Sequence, residues 1–351
     1  MTAERAALGM GIVGLGFMGH RYARFVHGIE GMKLAGVVDI DRALAERTVA
    51  ECGGQVFSSV EEMAASNQID GVMICTPEHL HVDAAVAALR AGKPTMVEKP
   101  LAHTLDAART IAAAASDAGV PLLTGHLLRF EQRWTAARQR LDAGVIGEIV
   151  SITTRRIGNV LDQDVLKGRT SIPLYYGVHD LDIMGWFAGA PARSISATRR
   201  SGALQAAGYD IDDVYTAVVT FENGVLGIAE LGWHVPAEAA AARTSGVVIV
   251  GTKGFIRIEQ AETGFECWSD HGLDRALDVV FWSDAHGIPG GALGVELRHF
   301  ADCVRGTSRP AISPDEAIEA LRLSLAMEEA ATTGMTIDMR TFGLGSVSPS
   351  A

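Results

Sequence analysis

The feature that most constrains this chain is a glycine-rich segment that directly follows its first apolar run. Gly14, Gly16 and Gly19 have the spacing G-x-G-x-x-G, between a strand pattern that ends at Val13 and a helix pattern. In such a strand-turn-helix unit the first glycine permits a tight turn, the second lets the backbone approach a pyrophosphate, and the third lets the helix pack on the strand. The helix N-terminus then faces the phosphates. The segment therefore predicts a dinucleotide-binding fold.

An acidic residue follows the next predicted strand, where this fold binds the adenosine ribose. Residues 34–38 have strand composition and precede Asp39, about twenty residues beyond the last glycine. A carboxylate there accepts hydrogen bonds from the ribose hydroxyls and repels a 2′-phosphate, so NAD is predicted over NADP. Phe17 and Met18, inside the glycine run, complete the predicted cofactor contacts. Two alternatives stay open: Arg42 could contact a phosphate, and Asp39 could cap the next helix, with the glycines as plain turn residues.

The first third of the chain alternates short apolar runs with longer amphipathic stretches, which is typical of buried parallel strands linked by helices. The predicted strands are residues 10–13, 34–38, 71–75, 95–97 and 122–124. Ser59 and Glu62 form a capping-box pattern, and Gly92 and Gly119 stand where helices should end. We predict an α/β Rossmann dinucleotide-binding domain over residues 1–126.

The pattern changes in residues 127–351. Strands are predicted at 149–155, 214–221 and 225–231, and helices at 129–143, 180–187, 295–305 and 315–332. Asn223 and Gly224 join two of the strands, and this dipeptide favours an antiparallel hairpin. A second junction of this kind is predicted at 251–254. We predict an α+β domain with a mainly antiparallel open sheet.

Composition excludes several classes of protein. A length of 351 residues favours two domains. The net charge of −12 disfavours nucleic acid and anionic membranes as partners. No apolar run approaches the roughly 20 residues of a membrane span, and the first residues lack a signal-peptide pattern, so we expect a cytoplasmic protein. The four cysteines are scattered and form no Cys-x-x-Cys pair, which argues against a disulfide framework or a thiolate zinc site.

Three further motifs complete a pattern that resembles the Gfo/Idh/MocA oxidoreductase family. They are Cys-Thr-Pro-Glu-His-Leu-His at 75–81, Val-Glu-Lys-Pro-Leu-Ala at 97–102 and Gly-Val-His-Asp-Leu-Asp at 177–182. In that family T-P-x-x-x-H ends the fourth strand and E-K-P ends the fifth. The resemblance covers nearly the whole chain, and it includes Arg-Phe at 129–130 and Val-Ile-Gly-Glu-Ile at 145–149.

The resemblance assigns the central chemical role to Lys99. Oxidation of a secondary alcohol moves a hydride to nicotinamide while the hydroxyl proton leaves, and the developing alkoxide needs a nearby positive charge. In the family, Glu98 and Pro100 fix the backbone around the nicotinamide, and the lysyl-prolyl bond is often cis. The implied cofactor contacts are Thr76, Pro77, His81, Glu98 and Lys99. The alternative is that Lys99 is a surface residue before a turn proline.

His179 resembles the family's proton-transferring histidine, and an imidazole suits a group that must take a proton and return it near neutral pH. Asp182 could orient this ring or cap the helix. Many related dehydrogenases carry an aspartate four residues before the histidine, whereas this chain has Tyr175. Tyr175 is a candidate catalytic and substrate-binding residue, or a packed aromatic. Tyr176 is more typical of a core position.

The remaining polar matches are less specific. Arg129 and Arg156 are candidate substrate-binding residues beside Lys99, Tyr175 and His179, and the weaker matches are Asn159, Arg169 and His234. Cys75, His79 and His81 could suggest a metal site, but no acidic third ligand or second shell can be placed for it, and the resemblance implies that a lysine takes the role of a metal, so no metal is expected.

The predicted function is an NAD-dependent oxidoreductase acting on a sugar or cyclitol hydroxyl, with Lys99 and His179 in proton transfer. One alternative is an NAD-dependent oxidation and elimination of the glycosidase type, and another is a non-catalytic dinucleotide-binding regulator. The resemblance also implies a homodimer or homotetramer built through the outer face of the second domain's sheet. The identity of the substrate does not follow from the sequence.

Overall fold

The structure is a computed structural model that describes residues 7–159, 169–235, 244–259, 267–269, 272–274, 280–286 and 288–344. The chain forms two compact units. The first comprises Met1–Glu131 and Val279–Ile318, and the second comprises Gln132–Asp278 and Glu319–Ala351. The sequence predicts a division after residue 126. It does not predict that Val279–Ile318 return to the first unit.

The first unit is built on a six-stranded parallel sheet. Its strands are β1 (Leu8–Val13), β2 (Met32–Val38), β3 (Gln55–Val56), β4 (Gly71–Ile74), β5 (Thr95–Glu98) and β6 (Leu122–Gly125), in the order β3-β2-β1-β4-β5-β6. The connecting helices are α1 (Phe17–Gly28), α2 (Arg42–Cys52), α3 (Val60–Ala65), α4 (His81–Arg90) and α5 (Leu105–Ala118). The predicted Rossmann fold and its five strands are confirmed. Strand β3 was missed because two residues carry no periodic pattern.

The strand order reverses between β1 and β4, which places the functional loops together. Strands β4, β5 and β6 are buried along their whole length because helices cover both faces of the sheet. All strands run in the same direction, so the loops after β1, β4 and β5 leave from one edge of the sheet. Ligands of open α/β sheets bind at this edge, beside the point where the strand order reverses.

The helix boundaries follow the local signals of the sequence. The side chain of Ser59 accepts a hydrogen bond from the backbone N–H of Glu62 at 3.2 Å. The Glu62 carboxylate in turn accepts one from the Ser58 N–H at 2.9 Å. Gly119 ends α5 with a φ of 65°, a left-handed conformation that glycine adopts without strain. Gly92 follows α4 with a φ of 75°. The capping box and both glycine stops are confirmed.

The returning segment adds one helix, α9 (Gly291–Val304), to the first unit. A Cβ at Gly71 would lie 2.9 Å from Val304 Cγ2 and 3.3 Å from Phe300 Cε1, so α9 packs closely on the start of β4. Arg305 donates a hydrogen bond to the carbonyl of Gly31 at 2.9 Å. A helix is present where the sequence predicts one at 295–305, and it begins four residues earlier, at Gly291. Its apolar stripe alone did not indicate which unit it would cover.

The second unit is built on a seven-stranded sheet. Its strands are β7 (Ile149–Asn159), β8 (Ala192–Arg200), β9 (Val214–Phe221), β10 (Leu226–Val235), β11 (Thr244–Gly251), β12 (Gly254–Glu259) and β17 (Ile337–Asp338), in the order β12-β11-β7-β10-β9-β8-β17. Among the described pairs, β7 and β10 run parallel and the others antiparallel. The predicted mainly antiparallel sheet is confirmed, as are both hairpins, at Asn223 and Gly224 and at 251–254.

Four helices of this unit are α6 (Gln132–Asp142), α7 (Val178–Ala188), the short α8 (Ala203–Ala206) and α10 (Pro314–Thr333), whose first turn belongs to the first unit. Small two-stranded ribbons are formed by β13 (Cys267–Ser269) with β14 (Gly272–Asp274), and by β15 (Asp284–Ala285) with β16 (Ile288–Pro289). The large sheet has one buried and one exposed face, since burial alternates along β9.

Candidate active site

The three fingerprint glycines have different surroundings. Gly14 has a φ of +84°, and a Cβ there would lie 2.8 Å from the backbone nitrogen of Thr76. A Cβ at Gly19 would lie 1.9 Å from the carbonyl oxygen of Gly14, which no side chain tolerates. At Gly16, by contrast, no atom lies within 4 Å of the added Cβ. Gly14 and Gly19 are thus required by the protein's own packing, whereas the space at Gly16 is open for a ligand.

The Asp39 carboxylate joins the end of β2 to the glycine turn. Its Oδ2 accepts the N–H of Leu15 at 2.6 Å, and its Oδ1 accepts the N–H of Asp41 at 2.8 Å. Each oxygen retains a further lone pair that ribose hydroxyls can use. Asp41, not Asp39, caps α2, because its side chain accepts the N–H of Leu44 at 3.0 Å. Arg42 is exposed and pairs with Glu46.

The loop after β4 contributes Thr76 and His81. The Thr76 hydroxyl is buried and has no hydrogen-bond partner among the described residues. An unsatisfied buried hydroxyl costs about 1–3 kcal/mol, so a ligand that bonds to it would recover this energy. His81 is buried, with Nε2 2.8 Å from the Thr76 carbonyl and Nδ1 3.1 Å from the Pro100 carbonyl. Burial lowers the His81 pKa, and the hydrogen bonds with backbone carbonyls, which would raise it, are the smaller effect. His81 therefore joins this loop to the turn after β5; Pro77 is half-buried in the same loop.

The turn after β5 holds Glu98 and Lys99. The Lys99–Pro100 peptide bond is cis, as the family resemblance implies. Lys99 is half-buried, and its backbone N–H lies 3.1 Å from Glu98 Oε2. The other Glu98 oxygen accepts a hydrogen bond from the Tyr22 hydroxyl at 2.7 Å, within the protein interior. Burial raises the pKa of Glu98, while Tyr22 and Lys99 oppose this rise. The Glu98 carboxylate thus supports the turn from inside.

An aromatic and cationic cluster stands at the start of α1. Phe17 is 58% exposed, and the Arg21 guanidinium carbon lies 3.6 Å from its ring centroid. Trp282, from the returning segment, meets the Phe17 ring edge-on with centroids 6.0 Å apart. Met18, which follows Phe17 along the chain, is half-buried. Phe17 and Met18 are predicted cofactor contacts, whereas Arg21 and Trp282 are not among the residues that the sequence predicts. Trp282 carries no motif signal, because it lies far from Phe17 along the chain.

Of the predicted catalytic residues, Lys99 belongs to the first unit, and Tyr175 and His179 belong to the second. A π-helical turn, Pro173–Gly177, precedes α7 and presents Tyr175. Such wide turns frequently occur at functional sites. The Tyr175 ring packs on Tyr176 and Trp233, with centroids 5.4 Å and 5.5 Å away. Both tyrosines are half-buried, as is His179. These contacts are compatible with a Tyr175 that binds substrate and with a Tyr175 that only packs in the second unit.

The structure places the two candidate substrate arginines in ion pairs. Arg156 Nε donates to Asp180 Oδ2 at 2.5 Å, and the Asp180 side chain is fully buried. Burial raises the Asp180 pKa, and the opposing effect of the Arg156 guanidinium is smaller, so the pKa is raised overall. Arg129 is buried, and its guanidinium lies 2.6 Å from Glu316 Oε1. Burial raises the Glu316 pKa, but hydrogen bonds, chiefly that from Arg129, outweigh this effect and lower it. Both arginines thus have protein carboxylates as partners.

The remaining candidates are dispersed. Asp182 and Asn159 are buried, and Arg169 is exposed. The side chain of His234 lies outside the described part of the chain. In the part that is described, no three His, Cys, Asp or Glu side chains group closely enough to hold a metal ion. No helix of the described residues combines the length and apolar composition of a membrane span.

Comparison with known proteins agrees with this geometry. Residues 8–126 match the model of an oxidoreductase family with an NAD-binding Rossmann fold, and residues 134–257 match the Gfo/Idh/MocA C-terminal domain. The scyllo-inositol 2-dehydrogenase (NAD(+)) of Bacillus subtilis is 27% identical over 93% of this chain and 95% of its own. The 2,7-anhydro-N-acetylneuraminate hydratase of Escherichia coli is 29% identical over 72% of this chain and 68% of its own.

Solved structures show the same fold. The scyllo-inositol dehydrogenase of Lactobacillus casei, crystallised with NAD(H) and scyllo-inositol, superposes with a TM-score of 0.81 at 23% identity. The superposition covers 95% of this chain and 99% of the other. Fold and glycine turn together define an NAD-binding oxidoreductase. The chain belongs to the Gfo/Idh/MocA family.

The contrast between Gly16 and Gly19 gives a first prediction. Gly19→Ala should destabilise the fold by about 2 kcal/mol or more, because its Cβ overlaps the Gly14 carbonyl. Gly16→Ala should leave the melting temperature unchanged, since its Cβ meets no atom, but should weaken NAD binding roughly tenfold or more, or about 1.4 kcal/mol. Thermal melting and NAD titration of both variants separate the effects. Unaltered NAD affinity in Gly16→Ala would contradict the placement of the pyrophosphate.

The buried Arg156–Asp180 pair gives a second prediction. Arg156→Leu should destabilise the protein by roughly 3–5 kcal/mol, because it leaves a buried carboxylate without its cation. Arg42 forms an exposed pair with Glu46 on α2 and is the matched control. Arg42→Leu should change stability by less than about 1 kcal/mol. Denaturant unfolding measures both. An Arg156→Leu protein of normal stability that is impaired only in substrate KM would instead favour a substrate-binding role.

Proposed function

We propose that this protein is an NAD-dependent dehydrogenase or reductase that acts on a CH–OH group of a sugar or cyclitol, with Lys99 and His179 in proton transfer. The observation that carries the proposal is the position of Lys99. It lies at the carboxyl end of β5, on the edge of the sheet where the glycine turn and the Thr76 loop also leave. The dehydrogenase name of the Bacillus subtilis relative supports the same substrate class.

The chain's own residues suit the reaction in both directions. Bound NAD supplies the hydride acceptor for the oxidation. The Lys99 ammonium would stabilise negative charge on the oxygen of the reacting carbon. The His179 imidazole would take the hydroxyl proton during oxidation and return it during reduction. Tyr175 would donate a hydrogen bond to the substrate, where a carboxylate can only accept one.

Asp39 supports NAD as the cofactor. Its carboxylate ends β2 and is held by the N–H of Leu15, at the side of the glycine turn where the ribose binds in this fold. A 2′-phosphate at that position would meet a negative charge. NADP is therefore the less favoured cofactor.

A second candidate function is an NAD-dependent oxidation and elimination without net cofactor turnover. The hydratase name of the Escherichia coli relative favours it. Oxidation of one carbon acidifies the neighbouring C–H, which then permits elimination. The two functions differ in a simple way, since only the dehydrogenase accumulates reduced nicotinamide.

We further propose that the protein is a homodimer or homotetramer built through the outer face of the second unit's sheet. Apolar side chains lie exposed on this face. They are Val218, Leu226, Ile228, Val250 and Phe255. Exposed apolar patches on a sheet generally mark a contact surface.

The direct test is a screen of polyols and sugars with NAD, followed by the absorbance of reduced nicotinamide. Lys99→Met should bind NAD almost normally and lose about 99% of kcat or more on the substrate found, because one electrostatic stabiliser is worth roughly 10²–10³ in rate. The exposed Lys33→Met removes the same charge and should change neither value. A Lys99→Met enzyme with near wild-type kcat would rule out the role of Lys99.

Cofactor choice gives a further prediction. Asp39→Ser should raise the KM for NAD and reduce the preference for NAD over NADP, because it removes both the ribose acceptors and the negative charge. The ratio of kcat/KM for the two cofactors is the measurement. Asp41→Ser, which removes a carboxylate two residues away, is the control and should leave the ratio unchanged. Equal changes with both cofactors in Asp39→Ser would show that Asp39 does not contact the ribose.

A further inference from the structure

Two buried glutamates share one tyrosine hydroxyl behind the Glu98–Lys99 turn. The Tyr22 hydroxyl lies 2.7 Å from Glu98 Oε1 and 3.0 Å from Glu296 Oε2. Tyr22 is 1% exposed, Glu98 is 9% exposed and Glu296 is 0% exposed. They come from α1, β5 and α9, all within the first unit. We call this arrangement the Tyr22 cluster.

The hydrogen count of the Tyr22 cluster requires an additional proton. A phenol has one hydrogen, so it can donate to only one of the two carboxylates. If both were ionised, the other would face the phenol oxygen with no hydrogen between them, and two like charges would lie in the interior. Burying even one unpaired carboxylate is strongly unfavourable, so the group takes up a proton instead. One glutamate must therefore be a neutral acid that donates to the Tyr22 oxygen.

The surroundings show which glutamate holds the proton. Glu98 faces the positive charge of Lys99 and accepts the Lys99 N–H at 3.1 Å. Glu296 Oε1 has no hydrogen-bond partner among the described residues, and the charged group that influences Glu296 most is the negative Glu98. Cys75, which is half-buried, also acts on Tyr22, and desolvation raises the pKa of its thiol and keeps the thiol neutral. Burial likewise raises the pKa of Glu296 well above its usual range.

We infer that Glu296 is a protonated carboxylic acid in the folded protein and acts, through Tyr22, as a positioning residue for the Glu98–Lys99 turn. The hydrogen bonds run from the Glu296 acid to the Tyr22 oxygen and from the Tyr22 hydroxyl to Glu98. Glu98 is then the single anion of the cluster, fixed on one side by Tyr22 and on the other by the Lys99 backbone. The part of this inference that concerns turnover rests on the proposed role of Lys99.

Infrared spectroscopy tests the protonation directly. At pH 7 the wild-type spectrum minus that of Glu296→Gln should contain the carbonyl band of one protonated carboxylic acid, which the subtraction separates from bands of other buried acids such as Asp180. Asp302→Asn is the matched control, because Asp302 lies on the same helix with a side chain 50% exposed. The control should keep the band. Its absence from the difference between wild type and Glu296→Gln would overturn the assignment of the proton.

Thermal melting gives an independent test whose sign follows from the protonation. Unfolded Glu296 loses its proton near pH 4.3, about the value of a free glutamate, whereas the folded protein retains it. Above that pH the folded state binds one proton more than the unfolded state, so its stability falls as pH rises. Glu296→Gln removes this dependence. Its melting temperature should rise relative to wild type between about pH 5 and pH 8, whereas that of Asp302→Asn should not. If the difference in melting temperature between Glu296→Gln and wild type stayed constant from about pH 5 to pH 8, the inference would be contradicted.

The positioning role is tested by kinetics. Glu296→Gln can still donate to Tyr22 and should keep kcat near the wild-type value. Glu296→Leu and Tyr22→Phe break the chain of hydrogen bonds and should lower kcat about tenfold, the equivalent of one hydrogen bond to a charged group, with the KM for NAD little changed. Unchanged kcat in both disruptive variants would overturn the positioning role. The infrared and melting tests use no substrate, so failure of the dehydrogenase proposal would be a separate result.

Discussion

The close approach of α1 to the end of β1 is the constraint on which the rest of the first unit depends. Gly19 lies so near the carbonyl of Gly14 that a single methyl group would overlap it. This contact sets where α1 begins and therefore where its free N–H groups point. It also sets where Tyr22, one turn further along α1, enters the interior. The glycine turn and the support of the Glu98–Lys99 turn thus share one packing contact.

Buried polar groups connect elements that are far apart in sequence. The hydrogen bond between Tyr22 and Glu296 spans 274 residues, and the ion pair of Arg129 with Glu316 spans 187. Each buried polar group must find a partner or cost free energy, so these contacts specify how α9 and the start of α10 return to the first unit. In the second unit, Arg156 and Asp180 fix α7 against β7 in the same manner. Apolar packing alone would leave such placements less specific.

Much of the fold was predictable because its signals are local. The five strand patterns of the first unit, the capping box at Ser59 and both hairpin turns depend on residues within a few positions of each other. The predictions failed where the local signal was short or absent. Strand β3 has two residues, and strand β8 was passed over because polar residues make up most of its length. Strand boundaries differed by a few residues, since strand ends depend on pairing with neighbours.

The sequence by itself determined the Rossmann fold, the cofactor class and the family, because glycine spacing and the motifs around Lys99 and His179 are read along the chain. Only the tertiary structure decided which polar residues are partners of one another. Arg129 and Arg156 match substrate positions in sequence, yet each faces a carboxylate of its own unit. Trp282 and Glu296 carry no motif and reach the first unit only through the return of the chain. Local patterns fix elements, but long-range contacts depend on topology, which places residues hundreds of positions apart side by side.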